Sequence, residues 1–298
     1  MRLSLRQLEV FDAICRLGSV TAAAQDVSLS QSAASQALAE LEAALDGALF
    51  DRIGRRLQIN ERGEQLRPYA AELLERAEIA EASLRGRHAM PPPRVRLAAS
   101  LTIGAYLLPE LLGAHLLREP EARVELQIHN TLQVIDEVAA FRADAGFVEG
   151  LIRHPDLLTH RWRDDEMLIV VAPDHPLARR RLTVAHLAAA RWITREAGSG
   201  GREIFGRAAH AAGFTPRIAL ELGHPQAVLR AAATGAGVAC LSQFVVADAV
   251  ARGELVALKT PFLDLHRTLW LVRHRNKFIG PGLRTMLDVL APGVLIEG

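Results

Sequence analysis

Cysteine is nearly absent from this 298-residue chain, which has only Cys15 and Cys240. Two thiols so far apart make neither a disulfide framework nor a metal knuckle, and their apolar neighbours mark both as buried free thiols. The 11 histidines show no i, i+4 pairing and no carboxylate cluster beside them, so no pattern for zinc is present. Aromatic residues make up only 5% of a half-hydrophobic composition, and aliphatic side chains and alanine must therefore fill the cores. No apolar run approaches the ~20 residues that span a bilayer. Arg2, Arg6, Glu9 and Asp12 interrupt the N-terminus, which excludes a signal-peptide pattern there. A soluble, cytoplasmic protein with no membrane partner is expected. Surplus positive charge is missing too: the formal net charge is +1, and in residues 1–90 11 arginines and no lysine face 13 carboxylates. Overall charge therefore supplies no affinity for a polyanion, and any attraction must be local. Catalytic signatures are also lacking. No GxSxG, HExxH, CxxC or GxGxxG follows a strand, and Asp164, Asp165 and Glu166 are mere sequence neighbours, so no enzyme is expected.

What the chain does have is residues 19–45, SVTAAAQDVSLSQSAASQALAELEAAL. They read as two short helices joined by a tight turn. Ser19 is placed to start the first, and Ser30 can cap the second by accepting a free amide of its first turn. Leu38, Leu41 and Leu45 recur at spacings of three and four and must pack inward. Gln31, Ser32, Ser35 and Gln36 then occupy another face, small, neutral and rich in hydrogen-bonding groups. Such a face suits the DNA major groove, where glutamine pairs with adenine and serine with most base edges. An alanine-rich helical hairpin in an ordinary core, with those residues merely solvated, would have the same pattern.

LRQLEVFDAICRLGSVTAAAQDVSLSQSAASQALAELEAALDGALFDRIGRRLQINERG, residues 5–63, resembles the winged helix-turn-helix of LysR-type transcriptional regulators. GS-x-T-AAA, LSQSA-x-S and LFDR-x-GRR-L occur in order, and the remainder has the length and segment order of that family's effector-binding region. The resemblance implies an α/β protein with an N-terminal α winged helix-turn-helix, and an effector region of two α/β lobes like a periplasmic solute-binding protein. It places Thr21, Ser30, Gln31, Ser32, Ser35, Gln36, Arg52, Arg55 and Arg56 at DNA. The three arginines fall in a short hairpin turning at Gly54, the wing, beside the recognition helix. On their own they would read as solvated loop residues.

Residues 61–88 form a long helix in which Leu66, Ala70, Leu73, Ala77, Ala80 and Leu84 alternate gaps of four and three, the seam of a two-stranded coiled coil. A helix packed on its own domain would need a broader apolar stripe. Alanine at three seam positions buries little, and Pro68 should kink the first turns. MPPP at 90–93 ends the helix. Strands and helices then alternate, which argues for a parallel sheet with helical crossovers. The domains expected are 1–60 for DNA binding, 61–90 as linker and dimerisation helix, 91–163 with 266–298 as the first effector subdomain, and 164–265 as the second. The return of the last strand and helix to the first lobe is implied by the resemblance alone. It also implies promoter double-stranded DNA and further copies of the chain as partners, a dimer through the linker helix and a tetramer through the lobes, with RNA polymerase as a further candidate.

No cofactor is expected, only a small effector such as an oxyanion or small carboxylate. Ligands in open α/β sheets sit at the carboxyl ends of strands near helix N-termini. Ser100 with Thr102, Asn130 with Thr131, and the turn from Thr194 through Gly198, Ser199 and Gly200 to Arg202 are such corners. Arg195 or Arg202 can supply a counter-charge, and Glu149 ends another strand. Taken individually, Ser100 and Asn130 read first as ordinary helix caps and only then as ligand contacts. TREAGSGGRE, ALELGHPQAV and RTLWLVRHRNK are most similar to the subgroup of the family that governs sulfur or carbon assimilation, although His224 and Pro225 stand where a polar pair is expected. The rival reading is a small-anion solute-binding or sensor protein with no DNA affinity.

Overall fold

The computed structural model describes residues 3–53, 56–85, 94–150 and 152–294. Gly54, Arg55, the MPPP segment and the far end of the linker helix lie outside them, as do the side chains of Arg56 and Leu84.

Three helices form the N-terminal module: α1 (Leu5–Leu17), α2 (Val20–Asp26) and α3 (Gln31–Ala44). Each starts at a serine whose hydroxyl accepts a first-turn amide: Ser4 from Gln7, Ser19 from Ala22 and Ser30 from Ala33. Gly18 closes α1 at φ +66°, a left-handed conformation that glycine adopts without strain. Leu8, Phe11, Ile14, Ala23, Ala34, Leu38 and Leu41 fill the core. The alanines let the short helices approach closely, which compensates for the scarcity of aromatics. Strands β1 (Phe50–Ile53) and β2 (Arg56–Ile59) pair antiparallel as the hairpin, and α4 (Glu61–Arg85) follows.

Helix α4 continues unbroken past Pro68. Its seam is divided. Leu66 and Ala70 pack into the core of their own module, with Arg67 and Pro68 also buried, so the broader stripe rejected from the sequence is present over the first turns. Further along, Leu73 is 45% exposed and Ala80 is exposed. This second half is the more exposed, and on one side Arg76 lies over the Phe278 ring at 4.4 Å.

The remainder is built from β3 (Arg94–Ser100), α5 (Leu101–Tyr106), α6 (Leu108–Arg118), β4 (Arg123–His129), α7 (Thr131–Ala139), β5 (Ala145–Glu149) and β6 (Leu157–Val171). There follow α8 (Val184–Ala189), β7 (Arg191–Arg195), α9 (Gly200–Ala211), β8 (Arg217–Leu222), α10 (Pro225–Ala233) and β9 (Val238–Ser242). The last elements are α11 (Gln243–Ala251), β10 (Val256–Ala257), β11 (His266–His274) and α12 (Pro281–Leu290). The strand order is β4-β3-β5-β11-β6-β9-β7-β8, with β10 beside β6. The sheet is mixed, correcting the parallel expectation. β3 runs parallel to β4 and β5, and β7 to β8 and β9, but β11 and β6 are antiparallel to each other and to their other neighbours. A chain that enters the second lobe on one strand and returns on another must cross in opposite directions.

β6 is therefore a single 15-residue strand that carries the chain between lobes. Its first part pairs with β11 as far as Glu166, and from Met167 it pairs with β9. The two crossing points touch where the Met167 amide donates to the Leu265 carbonyl at 2.9 Å. The expected start of the second unit near Asp164 falls inside this strand. The single helix expected after β3 is two, with Pro109 opening the second. Leu283, Met286, Leu287 and Leu290 of α12 share the core of Val95, Leu97 and Phe147, so the C-terminal helix packs with the first lobe. The second lobe is centred on Trp192, Phe205 and Phe214. Among the described residues no helix is long and apolar enough to cross a membrane.

Candidate DNA interface and effector cleft

Helix α3 buries Ala34, Leu38 and Leu41 and leaves Gln31, Ser32 and Gln36 exposed, with Ser35 half-buried. Its polar groups are ordered along the helix. The Gln31 amide donates to Ser35 Oγ at 3.0 Å, Gln36 donates to Glu40 at 2.9 Å, and the Ser30 and Ser32 hydroxyls lie 3.0 Å apart. Ser30 is both exposed and the cap of α3, accepting the Ala33 amide at 3.2 Å. Thr21 is exposed on α2. Arg52 is exposed on β1 opposite Leu57, and Arg56 opens β2. The hairpin is tied to the three-helix module by the Leu57 amide donating to Gly18 O at 3.2 Å. Arg55 lies outside the described residues.

In the effector region the strand-end corners converge from both lobes. Ser100, at the end of β3, makes no capping bond; it donates to Glu149 Oε2 at the end of β5. Ser100, Thr102, Thr131 and Glu149 are all buried. Thr131 donates to the Glu149 carbonyl at 3.2 Å. Asn130 takes the capping role instead, accepting the Gln133 amide at 3.0 Å while Gln133 accepts its own at 3.2 Å. From the other lobe comes the turn before α9. Gly198 sits at φ +89°, and its carbonyl accepts the Leu132 amide at 3.4 Å. A methyl group on Gly200 would overlap the Glu149 carbonyl, so only glycine allows the lobes to touch backbone to backbone there. A cavity of about 420 Å³ opens beside this contact, lined by Thr131, Leu132, Thr194, Ser199, Arg202 and Phe205 among others.

The two arginines expected to supply the counter-charge are already engaged. Arg195 is buried and chelates its neighbour Glu196, with Nε and Nη2 at 2.7 and 2.8 Å from the two carboxylate oxygens. Arg202 donates to Glu221 at 2.5 Å and to the Arg195 carbonyl at 3.0 Å. Both are tied into the second lobe by these contacts, and Arg202 also lines the cavity.

The cation at the floor of the cleft is Arg267, whose side chain is 1% exposed. Nε donates to Asp165 Oδ2 at 2.7 Å, and Ser242 donates to the other Asp165 oxygen at 3.0 Å. Nη2 is equally close to Asp165 but misaligned, and it makes no hydrogen bond among the described residues. Nη1 lies 3.7 Å from Glu149 Oε1 and 3.4 Å from where a Cβ on Gly201 would stand. The guanidinium thus points at the first turn of α9, where the Gly200 and Gly201 amides have no partner within the helix. Free amides, a helix dipole and a partly satisfied buried cation make a setting for an oxyanion.

Sequence reasoning missed Arg267, Asp165 and Ser242, though strand parity could have found two of them. Arg267, Leu269 and Leu271 alternate inward along β11, as Asp165, Met167 and Ile169 do along β6. Burial pushes the Cys240 thiol up to about 12, with Arg267 opposing and Asp165 reinforcing that rise, and burial raises Cys15 further still.

Residues 5–64 match the model described as bacterial regulatory helix-turn-helix protein, lysR family, and residues 88–294 match the LysR substrate binding domain. The uncharacterized HTH-type transcriptional regulator YeiE of Escherichia coli (strain K12) is 40% identical over 294 residues, covering 98% of each chain. The HTH-type transcriptional regulator CysL of Bacillus subtilis (strain 168) is 30% identical over 263 residues, 88% of each. Both are HTH-type transcriptional regulators, as the LysR resemblance implies. A full-length OxyR variant from Pseudomonas aeruginosa superposes with a TM-score of 0.77 at 21% identity, over 97% of this chain and 94% of that one, a likeness of fold. Carrying both the lysR-family helix-turn-helix and a two-lobed effector-binding domain, the chain belongs to the LysR family of DNA-binding transcriptional regulators.

Proposed function

We propose that this regulator reads promoter DNA through Gln31, Ser32, Ser35 and Gln36. Thr21, Ser30, Arg52, Arg55 and Arg56 hold the phosphates and the minor groove around that helix, and a small anionic effector between the lobes controls the arrangement. The observation that carries the reading is the exposed, uncharged first turns of α3, joined in one chain to a cleft with a buried guanidinium at its floor. With no basic surplus in the module, attraction rests on the wing arginines and helix N-termini, and specificity on the α3 side chains.

Dimerisation runs through residues 61–88 and uses the exposed second half of α4. Since Leu66 and Ala70 are already spent inside their own module, the seam buries little, and contacts between lobes complete a tetramer. The wing modules then read half-sites about one DNA turn, roughly 34–36 Å, apart. An effector acts by favouring one arrangement of lobes over another, and only to the extent that it binds that arrangement more tightly. RNA polymerase is the partner such a promoter complex would meet. Nothing favours the solute-binding rival.

The test is DNA binding by the purified chain on the DNA flanking its own gene, with and without small anions. Gln36→Ala should weaken binding by about 1–3 kcal/mol and relax base preference at one position. Unchanged sequence preference would remove α3 from its role. Thermal stabilisation by anions should disappear in Ser100→Ala/Thr102→Ala; if no anion stabilises the wild type, the cleft assignment fails.

A further inference from the structure

The cleft floor holds one cation between two carboxylates. Arg267 is bound tightly to Asp165 and only loosely to Glu149, 3.7 Å away. Glu149 is 3% exposed and accepts the Ser100 hydroxyl on Oε2, while Oε1 accepts no hydrogen bond among the described residues. It packs directly against the first turn of α9, since a Cβ on Gly200 would stand 2.7 Å from Glu149 Cγ. An anion that enters between the lobes at this contact meets two kinds of group side by side. The Gly200 and Gly201 amides and Arg267 Nη1 donate, and Glu149 Oε1 can only accept.

That pairing sets a chemical requirement. A fully deprotonated anion presents lone pairs alone, so placing it here sets acceptor against acceptor beside two carboxyl groups that share one guanidinium. The repulsion is strongest where water is excluded. An anion bearing its own O–H turns the same contact into a charge-assisted hydrogen bond to Glu149. Resting on the cleft reading above, we propose that the effector is an oxyanion carrying an O–H donor, and that Glu149 is the residue selecting for that proton. Two chemical sources fit: a protonated inorganic oxyanion and a hydroxycarboxylate. Ser100 orients Glu149 by occupying Oε2, which leaves Oε1 for the ligand.

The experiment titrates the full-length protein with isosteric pairs at equal ionic strength, reading dissociation constants by calorimetry. Phosphate against sulfate tests the inorganic source, and glycolate against acetate tests the organic one. In at least one pair the O–H bearer should bind about tenfold or more tightly, because a site built around a hydrogen bond rejects the analogue that lacks it. Glu149→Gln, which presents a donor in place of a carboxylate oxygen, should flatten or reverse that preference once cooperative unfolding shows the variant is folded. Wild-type protein that takes sulfate as readily as phosphate and acetate as readily as glycolate overturns the proposal while leaving the cleft in place. A discrimination that survives Glu149→Gln also overturns it. Absence of binding by all four probes overturns the cleft reading itself, and this inference with it.

Discussion

The DNA-binding module and the hinge of the effector region place their polar residues in opposite ways. On α3 the residues set toward DNA, Gln31, Ser32, Ser35 and Gln36, are uncharged and largely exposed, and the core beneath is mostly aliphatic, with the buried Arg67 of α4 beside it. At the hinge, Asp165, Arg267, Glu149, Ser100 and Ser242 are all buried, and three of the five are ionisable. The first arrangement lets recognition change without touching stability. The second makes binding and folding depend on the same groups, so that a ligand entering there acts on the joint between lobes.

The largest effect should come from breaking the hinge pair. Asp165→Ala leaves Arg267 buried without its main partner, and it should cost about 3–5 kcal/mol in denaturant unfolding. The neighbouring Asp164→Ala, which removes an exposed pair with Arg161, should cost about 0–1 kcal/mol. Equal losses at the two positions would erase the contrast between buried and exposed charge.

A second buried carboxylate gives the pH form of the same contrast. Burial alone would raise Asp144, but Lys277 at 3.0 Å, Arg96 at 3.1 Å and the Arg96 amide hold its carboxyl below the ordinary value. A depressed carboxyl contributes stability that is complete above its unfolded pKa of ~3.9 and is lost as pH falls through the lower folded value. Asp144→Ala should cost about 3 kcal/mol near neutrality, where the pair is intact. It should also remove part of the acid sensitivity of the first lobe below pH ~4. An unchanged acid midpoint would assign that sensitivity elsewhere.

How much of this was legible follows the same division. Capping serines, apolar spacing and neutral side chains on α3 are local, and residues 19–45 display all of them. The β-α alternation was equally plain, yet a mixed sheet resulted because strand direction depends on a return crossing that no local window contains. Arg195 and Arg202 looked unengaged because Glu221 reaches Arg202 only once β8 pairs with β7, and adjacency alone does not say that Glu196 chelates Arg195. The cleft cation went unseen because Asp165 and Arg267, 102 residues apart in sequence, meet only when β6 and β11 pair. The linker helix was half legible. Its heptad spacing is real, but Leu66 and Ala70 serve the module core while Leu73 stays exposed, and spacing alone does not say which surface a seam meets.

Smaller effects probe each side separately. Gly200→Ala would push a methyl group into the Glu149 carbonyl and force the lobes apart, for about 1–3 kcal/mol. The loss should appear as weaker anion binding with DNA affinity unchanged in the absence of anion. Ser30→Ala removes the cap of α3, worth ~1 kcal/mol of module stability, and should lower the thermal midpoint slightly without altering base preference at neighbouring positions.

The smallest stability effect should come from Arg52→Ala, and it bears most directly on the comparison. Arg52 is exposed on the hairpin edge, so its removal should leave unfolding within about 0.5 kcal/mol of wild type. If Arg52 neutralises one phosphate, the slope of log affinity against log salt should flatten by about one unit, with the loss spread evenly over all sequences. A change confined to one sequence would make Arg52 a base reader in the minor groove instead. A marked loss of stability would mean that the wing, like the hinge, ties its charges into the fold. The separation of recognition from folding would then end at α3 and not extend across the module.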